Sequence, residues 1–195
     1  MKFFFGLLAF LAAIIVVILL VFGLFRRTGQ GNPNVVVTTD TVDLKDEALV
    51  GNSAAQYRLI GPVIAAENHN ELQITISKSS RTIDIYRGYN GEVIKSETFP
   101  NTPESYRAFL GALDAARYSA KRTNAQSDAR GICVTGNKAF YSLVTDGTKK
   151  VDTWTSSCSL DQGSFGGNAP ATSDLFRKQI PTYSTITNGI TDYLF

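Results

Sequence analysis

The stretch LQITISKSSRTIDIYRGYNGEVIKSETF, residues 72–99, decides the fold of this chain. Apolar and polar residues alternate in LQITI and again in TIDI, which is the period of strands buried on one face only. The dipeptide Asn90-Gly91 favours a two-residue type I′ turn, because both central residues of that turn need positive φ. Such a turn pairs Tyr89 with Glu92. We therefore expect a three-stranded antiparallel meander over this stretch.

A helix follows the meander directly in the sequence. Thr102 is a preferred N-cap residue, and Pro103 suits the first helical position. Apolar residues then recur at helical spacing and form one face, namely Tyr106, Phe109, Leu110 and Leu113. We expect this helix, residues 102–118, to cover one face of the sheet. Its apolar stripe should pack on the inward side chains of the meander, which are Leu72, Ile74, Ile76, Ile83 and Ile85.

A second hairpin signal lies between the only two cysteines of the chain. Asp146-Gly147 favours a two-residue turn between the strand-like runs AFYSLV and VDTW. In that register Cys133 and Cys158 lie two positions away from facing each other. One bulge, or a slight bend at Gly136, brings them within the Cα distance of roughly 4.4–6.8 Å that a disulfide needs. We expect a disulfide between these two cysteines.

The remaining signals complete an α+β fold. Residues 57–60 and 63–66 indicate strand segments on either side of a Gly-Pro bend, and residues 172–173 indicate the cap of a short C-terminal helix over 174–180. The tail, residues 183–195, favours either a last hairpin or a docked strand. We therefore expect a mostly antiparallel sheet of five to seven strands with one main covering helix and a short C-terminal helix.

An N-terminal single transmembrane helix is expected to precede this domain. The chain opens MKFFFGLLAFLAAIIVVILLVFGLFRR, and its run from Phe3 to Phe25 holds 23 residues without a charge, amide or hydroxyl group. A helix of that length measures about 35 Å and crosses a hydrocarbon core of about 30 Å. No small-residue cleavage site follows the run. We expect residues 1–27 to be an uncleaved signal-anchor whose partner is the lipid bilayer.

Two signals disagree about the side of the membrane on which the domain lies. Lys2 stands before the span and Arg26 and Arg27 after it, so the positive-inside rule favours a cytoplasmic domain. A disulfide and a downstream region rich in Ser, Thr and Asn favour the outside. We expect an extended linker over 28–55 and, beyond it, an extracytoplasmic α+β domain over 56–195 of a single-pass cell-membrane protein.

Few residues of the sequence indicate chemistry. The absence of a dense charge block argues against a nucleic-acid partner, and the net charge of +2 favours no particular partner. His69 is the only histidine, so no second one is present to form a metal pair, and we expect it to be solvated. Asp84 and Glu97 face each other in the register expected above, as a solvated pair. We expect neither a cofactor nor a metal.

An enzymatic alternative rests on three residues. The sequence WTSSC ends at Cys158 near a strand end, with His69 upstream and Arg177 downstream. This arrangement resembles the layout of a sortase, which implies a cysteine transpeptidase or hydrolase with a Cys nucleophile, a His acid–base and an Arg that steadies the oxyanion. Cys133 is placed to form a disulfide with Cys158, which argues against a free nucleophile at Cys158. The sequence therefore favours a non-enzymatic binding or structural domain. Its expected partner is an envelope protein or a cell-surface ligand.

Overall fold

The described part of the chain begins beyond the expected membrane anchor. The computed structural model describes residues 37–38, 42–47, 51–123, 125–159 and 162–190. The signal-anchor expected over residues 1–27 lies outside these ranges. Within them no helix is long and apolar enough to cross a membrane.

These residues form an α+β fold built on one antiparallel sheet. The elements in chain order are β1 (Val37–Thr38), α1 (Leu44–Glu47), β2 (Ser53–Ile60), β3 (Asn70–Ser77), β4 (Ser80–Arg87), β5 (Glu92–Pro100), α2 (Pro103–Ala115), β6 (Lys121–Arg122), β7 (Lys138–Thr145), β8 (Thr148–Ser156), α3 (Ala169–Arg177) and α4 (Tyr183–Ile186). Six strands pair in the order β5-β4-β3-β2-β7-β8, and β1 pairs with β6 separately. The expected antiparallel sheet is confirmed.

The covering helix is confirmed as well, although it ends at Ala115 and not at residue 118. The side chain of Thr102 accepts a hydrogen bond of 3.2 Å from the backbone N–H of Ser105, and Pro103 opens α2. The apolar stripe of α2 is buried in one core with the inward side chains of β3 and β4. That core comprises, among others, Tyr106, Phe109, Leu110, Leu113, Leu72, Ile74, Ile76, Ile83 and Ile85. The opposite face of the sheet carries mostly polar side chains.

The meander is present as β3, β4 and β5, but its second turn is longer than expected. Arg87 pairs with Glu92, so the turn has four residues, 88–91. Gly88 (φ 68°) and Gly91 (φ 71°) take the positive φ angles of this turn. The expected pairing of residue 89 with Glu92 is therefore wrong, because Asn90 does not adopt the positive φ that a type I′ turn requires.

A long-range contact keeps Tyr89 in that turn. Its hydroxyl donates to the carbonyl oxygen of Ile64 at 2.7 Å and accepts from the N–H of the same residue at 3.0 Å. Residues 63–66 were expected to form a strand, and this is also wrong. They belong to a loop in which the N–H groups of Asn68 and His69 bond the carbonyl oxygen of Ala65.

A bulge changes which side chains face each other between β4 and β5. The register shifts between Ile85 and Tyr86, so that Asp84 faces Ser96 and Glu97 faces a buried isoleucine of β4. The expected facing of Asp84 and Glu97 is wrong, since the two carboxylates lie on opposite faces of the sheet. Ser96 instead donates a hydrogen bond of 2.6 Å to Asp84.

The C-terminal elements begin at other residues than expected. Asn168 caps α3, because its side chain accepts from the N–H of Ala171 at 3.1 Å, and the helix contains Thr172 as a buried residue. The helix was expected over 174–180, but it starts five residues earlier, at Ala169, and ends at Arg177. The expected hairpin or strand in the tail is replaced, as far as residue 190, by α4 and a turn.

Part of the expected linker contributes to the folded unit. Ser53, its neighbour Ala54 and Ala55 begin β2, which lies between β3 and β7 near the middle of the sheet. Leu44 in α1 is fully buried in the common core. The small residues of this stretch are typical of a loop in the sequence. They are accommodated in a central strand because the neighbouring strands β3 and β7 supply most of the packing.

Replacing Phe109 by Ala tests the packing of α2. Phe109 is buried and meets the ring of Phe176 edge-on at 5.1 Å between centroids. We expect the free energy of unfolding to fall by about 3–5 kcal/mol, measured by urea unfolding with the fluorescence of Trp154, the only tryptophan. The exposed control Val93→Ala should change it by less than about 0.5 kcal/mol. Equal effects in both variants would contradict this packing.

Candidate functional site

One end of the sheet collects the features that can take part in binding. We call it the loop end, and it holds the loops 61–69, 88–91 and 131–137 together with the last residues of β8. The strand pairing brings these segments to the same end of the sheet, because Ile60 at the end of β2 pairs with both Glu71 in β3 and Lys138 in β7. In the described part of the chain the exposed large apolar side chains, between 46% and 59% accessible, all lie at this end: Val63, Tyr89, Val93 and Val134.

The expected pairing of the two cysteines is present at the loop end. Cys133 and Cys158 are disulfide-bonded, with their Cα atoms 5.7 Å apart. The hairpin β7–β8 has the expected two-residue turn at Asp146-Gly147, but a bulge beyond it shifts the register so that the cysteines are further from facing each other. The bend at Gly136 closes this gap, because its N–H bonds the carbonyl oxygen of Cys133 at 3.2 Å.

Gly136 is required for this bend by lack of space. A Cβ at this position would lie 2.6 Å from the sulfur of Cys133, 2.6 Å from the hydroxyl oxygen of Ser157 and 2.9 Å from the sulfur of Cys158. The same Ser157 oxygen accepts a hydrogen bond of 2.8 Å from the N–H of Asn137. The disulfide, the serine and the bend therefore form one rigid unit.

A cavity of about 350 Å³ opens beside this unit, between the inward face of the sheet and α3. Strand β2 contributes Tyr57 and Leu59 to its wall, and β7 contributes Ala139. Ala169 lines it from α3. Small side chains line much of this cavity, among them Ala139 and Ala169, and leave the space unfilled.

Most of the accessible surface of the cavity wall is apolar, although eight of its twelve described lining residues carry a polar side-chain group. Arg177 is the one charged side chain among its described lining residues. Its guanidinium carbon lies 5.7 Å from the centre of the Tyr183 ring. Burial raises the pKa of Tyr183 to about 12, and the positive charge of Arg177 acts in the opposite direction. Burial likewise raises the pKa of Tyr141, whose hydroxyl lies 3.3 Å from that of Ser173. Both phenols are therefore neutral at physiological pH.

His69 is buried, so the expectation that it is solvated is wrong. Only 1% of the residue is accessible. Its Nδ1 lies 2.9 Å from the carbonyl oxygen of Pro62 and its Nε2 lies 3.4 Å from a carboxylate oxygen of Glu71. The ring stacks on that of Tyr89 at 4.2 Å between centroids, and Arg58 donates to Glu71 at 2.9 Å. The imidazole thus holds two loops of the loop end together.

The three residues of the sortase-like alternative have different surroundings. Arg177 lines the cavity, and the sulfur of Cys158 is bonded to that of Cys133. His69 is not among the lining residues, and both of its ring nitrogens are within hydrogen-bond distance of oxygens elsewhere. The cavity therefore contains one member of the three.

Sequence reasoning missed the cavity itself. Ala139 and Ala169 are small residues at positions that face a core, and that is the one local signal of space between the elements. These two alanines face each other between β7 and α3 only in the tertiary fold, so the sequence alone does not reveal the space.

Residues 162–168 are glycine-rich in sequence, and their glycines allow close packing. A Cβ on Gly163 would lie 2.2 Å from the carbonyl oxygen of Trp154.

Comparison of the chain with known protein families, with curated proteins and with solved structures gives no match. Across the described ranges no group of three His, Cys, Asp or Glu side chains is arranged to hold a metal ion. The assignment of the site therefore rests on its own geometry.

Replacing Gly136 by Ala tests the rigid unit at the cavity wall. The added methyl group overpacks both sulfur atoms, so we expect the free energy of unfolding to fall by roughly 1–3 kcal/mol. The control is Gly111→Ala in α2, where nothing lies within 4 Å of the added carbon and helix propensity should stabilise the fold. Urea unfolding measures the free energy of unfolding of both variants, and thiol titration checks that the disulfide is still formed in each. A Gly136→Ala variant as stable as the wild type would contradict the close packing.

Proposed function

We propose that this protein is a membrane-anchored, non-enzymatic binding domain that lies outside the cytoplasm and takes a small ligand in the cavity at the loop end. The cavity carries the proposal. Its volume falls near the lower limit of the roughly 300–1,000 Å³ that is usual for small-molecule sites. A wall whose accessible surface is mostly apolar, as here, is also typical of such sites.

The rigidity of the loop end supports binding. The disulfide fixes one side of the cavity mouth, and the stack of His69 on Tyr89 fixes the neighbouring loops. A site that is already ordered loses little conformational entropy when a ligand arrives. The exposed apolar side chains beside it would meet the envelope protein or cell-surface molecule that is the expected partner.

Two features support the proposed location. The apolar run from Phe3 to Phe25 has the length of a membrane span, with the bilayer as its partner. A disulfide persists in oxidising compartments and is rare in the cytosol. We therefore propose a single-pass protein of the cell membrane with its C-terminal domain outside.

The state of the cysteines supports binding over catalysis. A sortase-like reaction needs a thiolate, and the disulfide engages the sulfur atoms of both cysteines of the chain. Of the groups that would assist such a thiolate, His69 is engaged with Pro62 and Glu71. Cys158 is accordingly proposed as a structural residue.

Filling the cavity tests this function. In full-length protein in lipid nanodiscs, a diazirine-bearing octanol should label β7 and α3 on illumination, as located by mass spectrometry. Ala169→Phe should abolish that labelling because the ring occupies the cavity. Ala171→Phe, on the same helix but outside the lining, should leave it unchanged. Labelling of the apolar run at residues 3–25 by probe dissolved in the lipid serves as the internal standard.

Two results would refute the proposal. One is the absence of label from β7 and α3 in the wild type while the run at residues 3–25 is labelled. The other is labelling of β7 and α3 that persists undiminished in Ala169→Phe.

A further inference from the structure

We propose that the ligand of the cavity carries a carboxylate next to an apolar body, and that Arg177 binds this carboxylate. The inference rests on the proposed function and adds the chemical class of the ligand. It begins from charge: among the described residues that line the cavity, Arg177 alone is charged, and no acidic side chain lies among them. A cavity with a positive charge and no acidic residue favours an anion.

The position of Arg177 suits this role. It lies in the last turn of α3, with its guanidinium beside the ring of Tyr183. The ring restricts the side chain, so less rotamer entropy is lost when a ligand binds.

The geometry of the guanidinium group selects the kind of anion. Its planar fork of N–H donors matches the two oxygens of a carboxylate and binds them in parallel. Such charge-assisted bonds are roughly twice as strong as hydrogen bonds between neutral groups. Tyr141 and Tyr183 stay protonated, so neither phenol adds a negative charge that would oppose the ligand.

The walls select the rest of the ligand. Tyr57, Leu59 and Ala139 present an apolar surface opposite α3. The volume of about 350 Å³ favours one short chain or one ring over a large lipid. A medium-chain fatty acid and the C-terminal apolar residue of a peptide share this chemistry, namely a terminal carboxylate on a compact apolar group.

Photolabelling of the full-length protein in nanodiscs tests the assignment. The probes are diazirine-bearing octanoate, diazirine-bearing octanol and N-acetyl photo-leucine, and the readout is the concentration that half-saturates labelling of β7 and α3. We expect octanoate to half-saturate at least about ten-fold below octanol, as a hydrogen bond to a charged group contributes about that factor. If N-acetyl photo-leucine half-saturates labelling at a lower concentration than octanoate, the natural carboxylate belongs to a peptide terminus. If octanoate half-saturates at the lower concentration, it belongs to an acyl chain.

Two further variants complete the test. Arg177→Met should raise the octanoate value at least to that of octanol and leave octanol unchanged, since only the charge is lost. Arg107→Met, which removes an exposed cation of α2 outside the cavity lining, should change neither value. Equal half-saturation by octanoate and octanol in the wild type, or an octanoate value unaffected by Arg177→Met, would overturn the carboxylate assignment while cavity binding stands. Absence of label from all three probes would refute cavity binding as well.

Discussion

The contact between Tyr57 and Tyr141, on the neighbouring strands β2 and β7, organises the core between the sheet and α3. The two rings stack at 5.7 Å between centroids in the middle of the sheet, and Phe176 of α3 packs on Tyr57 at the same distance. Phe165 adds a further ring at 4.2 Å from Tyr141. These buried rings set the separation between the sheet and α3, because interiors pack to high density around large rigid groups.

The cavity is a consequence of that separation. Where the aromatic rings stop, towards the loop end, Ala139 and Ala169 face the space that the rings hold open. The disulfide and the bend at Gly136 then fix the rim, since no side chain fits at that glycine. Arg177 enters the same space from α3. A rigid aromatic support, small wall residues and one cation together make a cavity whose accessible wall is mostly apolar and whose described lining carries a single charged side chain.

Local signals in the sequence predicted much of the fold. The alternation in residues 72–76, the cap at Thr102 and the turn at Asp146-Gly147 act over a few residues, and the elements they indicate are present. Longer-range contacts decided the points that were wrong. The hydroxyl of Tyr89 reaches Ile64 and alters the turn before β5, a contact that no local pattern encodes.

The candidate site was less predictable for the same reason. The disulfide followed from the hairpin register within a few residues, although the route to it, by Gly136, was one of two alternatives. The burial of His69 depends on a loop folding over it, with Pro62 and Tyr89 as partners. The cavity depends on residues from four elements meeting, so sequence periodicity predicts its walls as core and gives no sign of the space between them.

NMR of isotope-labelled full-length protein in nanodiscs locates the binding site without a covalent probe. On addition of octanoate, we expect amide shifts that saturate together at Ala139, Ser157 and Arg177, around the cavity. The amides of Gln73 and Phe140, which line a depression on the opposite, polar face of the sheet, should keep their positions. Saturable shifts confined to that polar face, with none around the cavity, would rule out the loop-end cavity as the binding site.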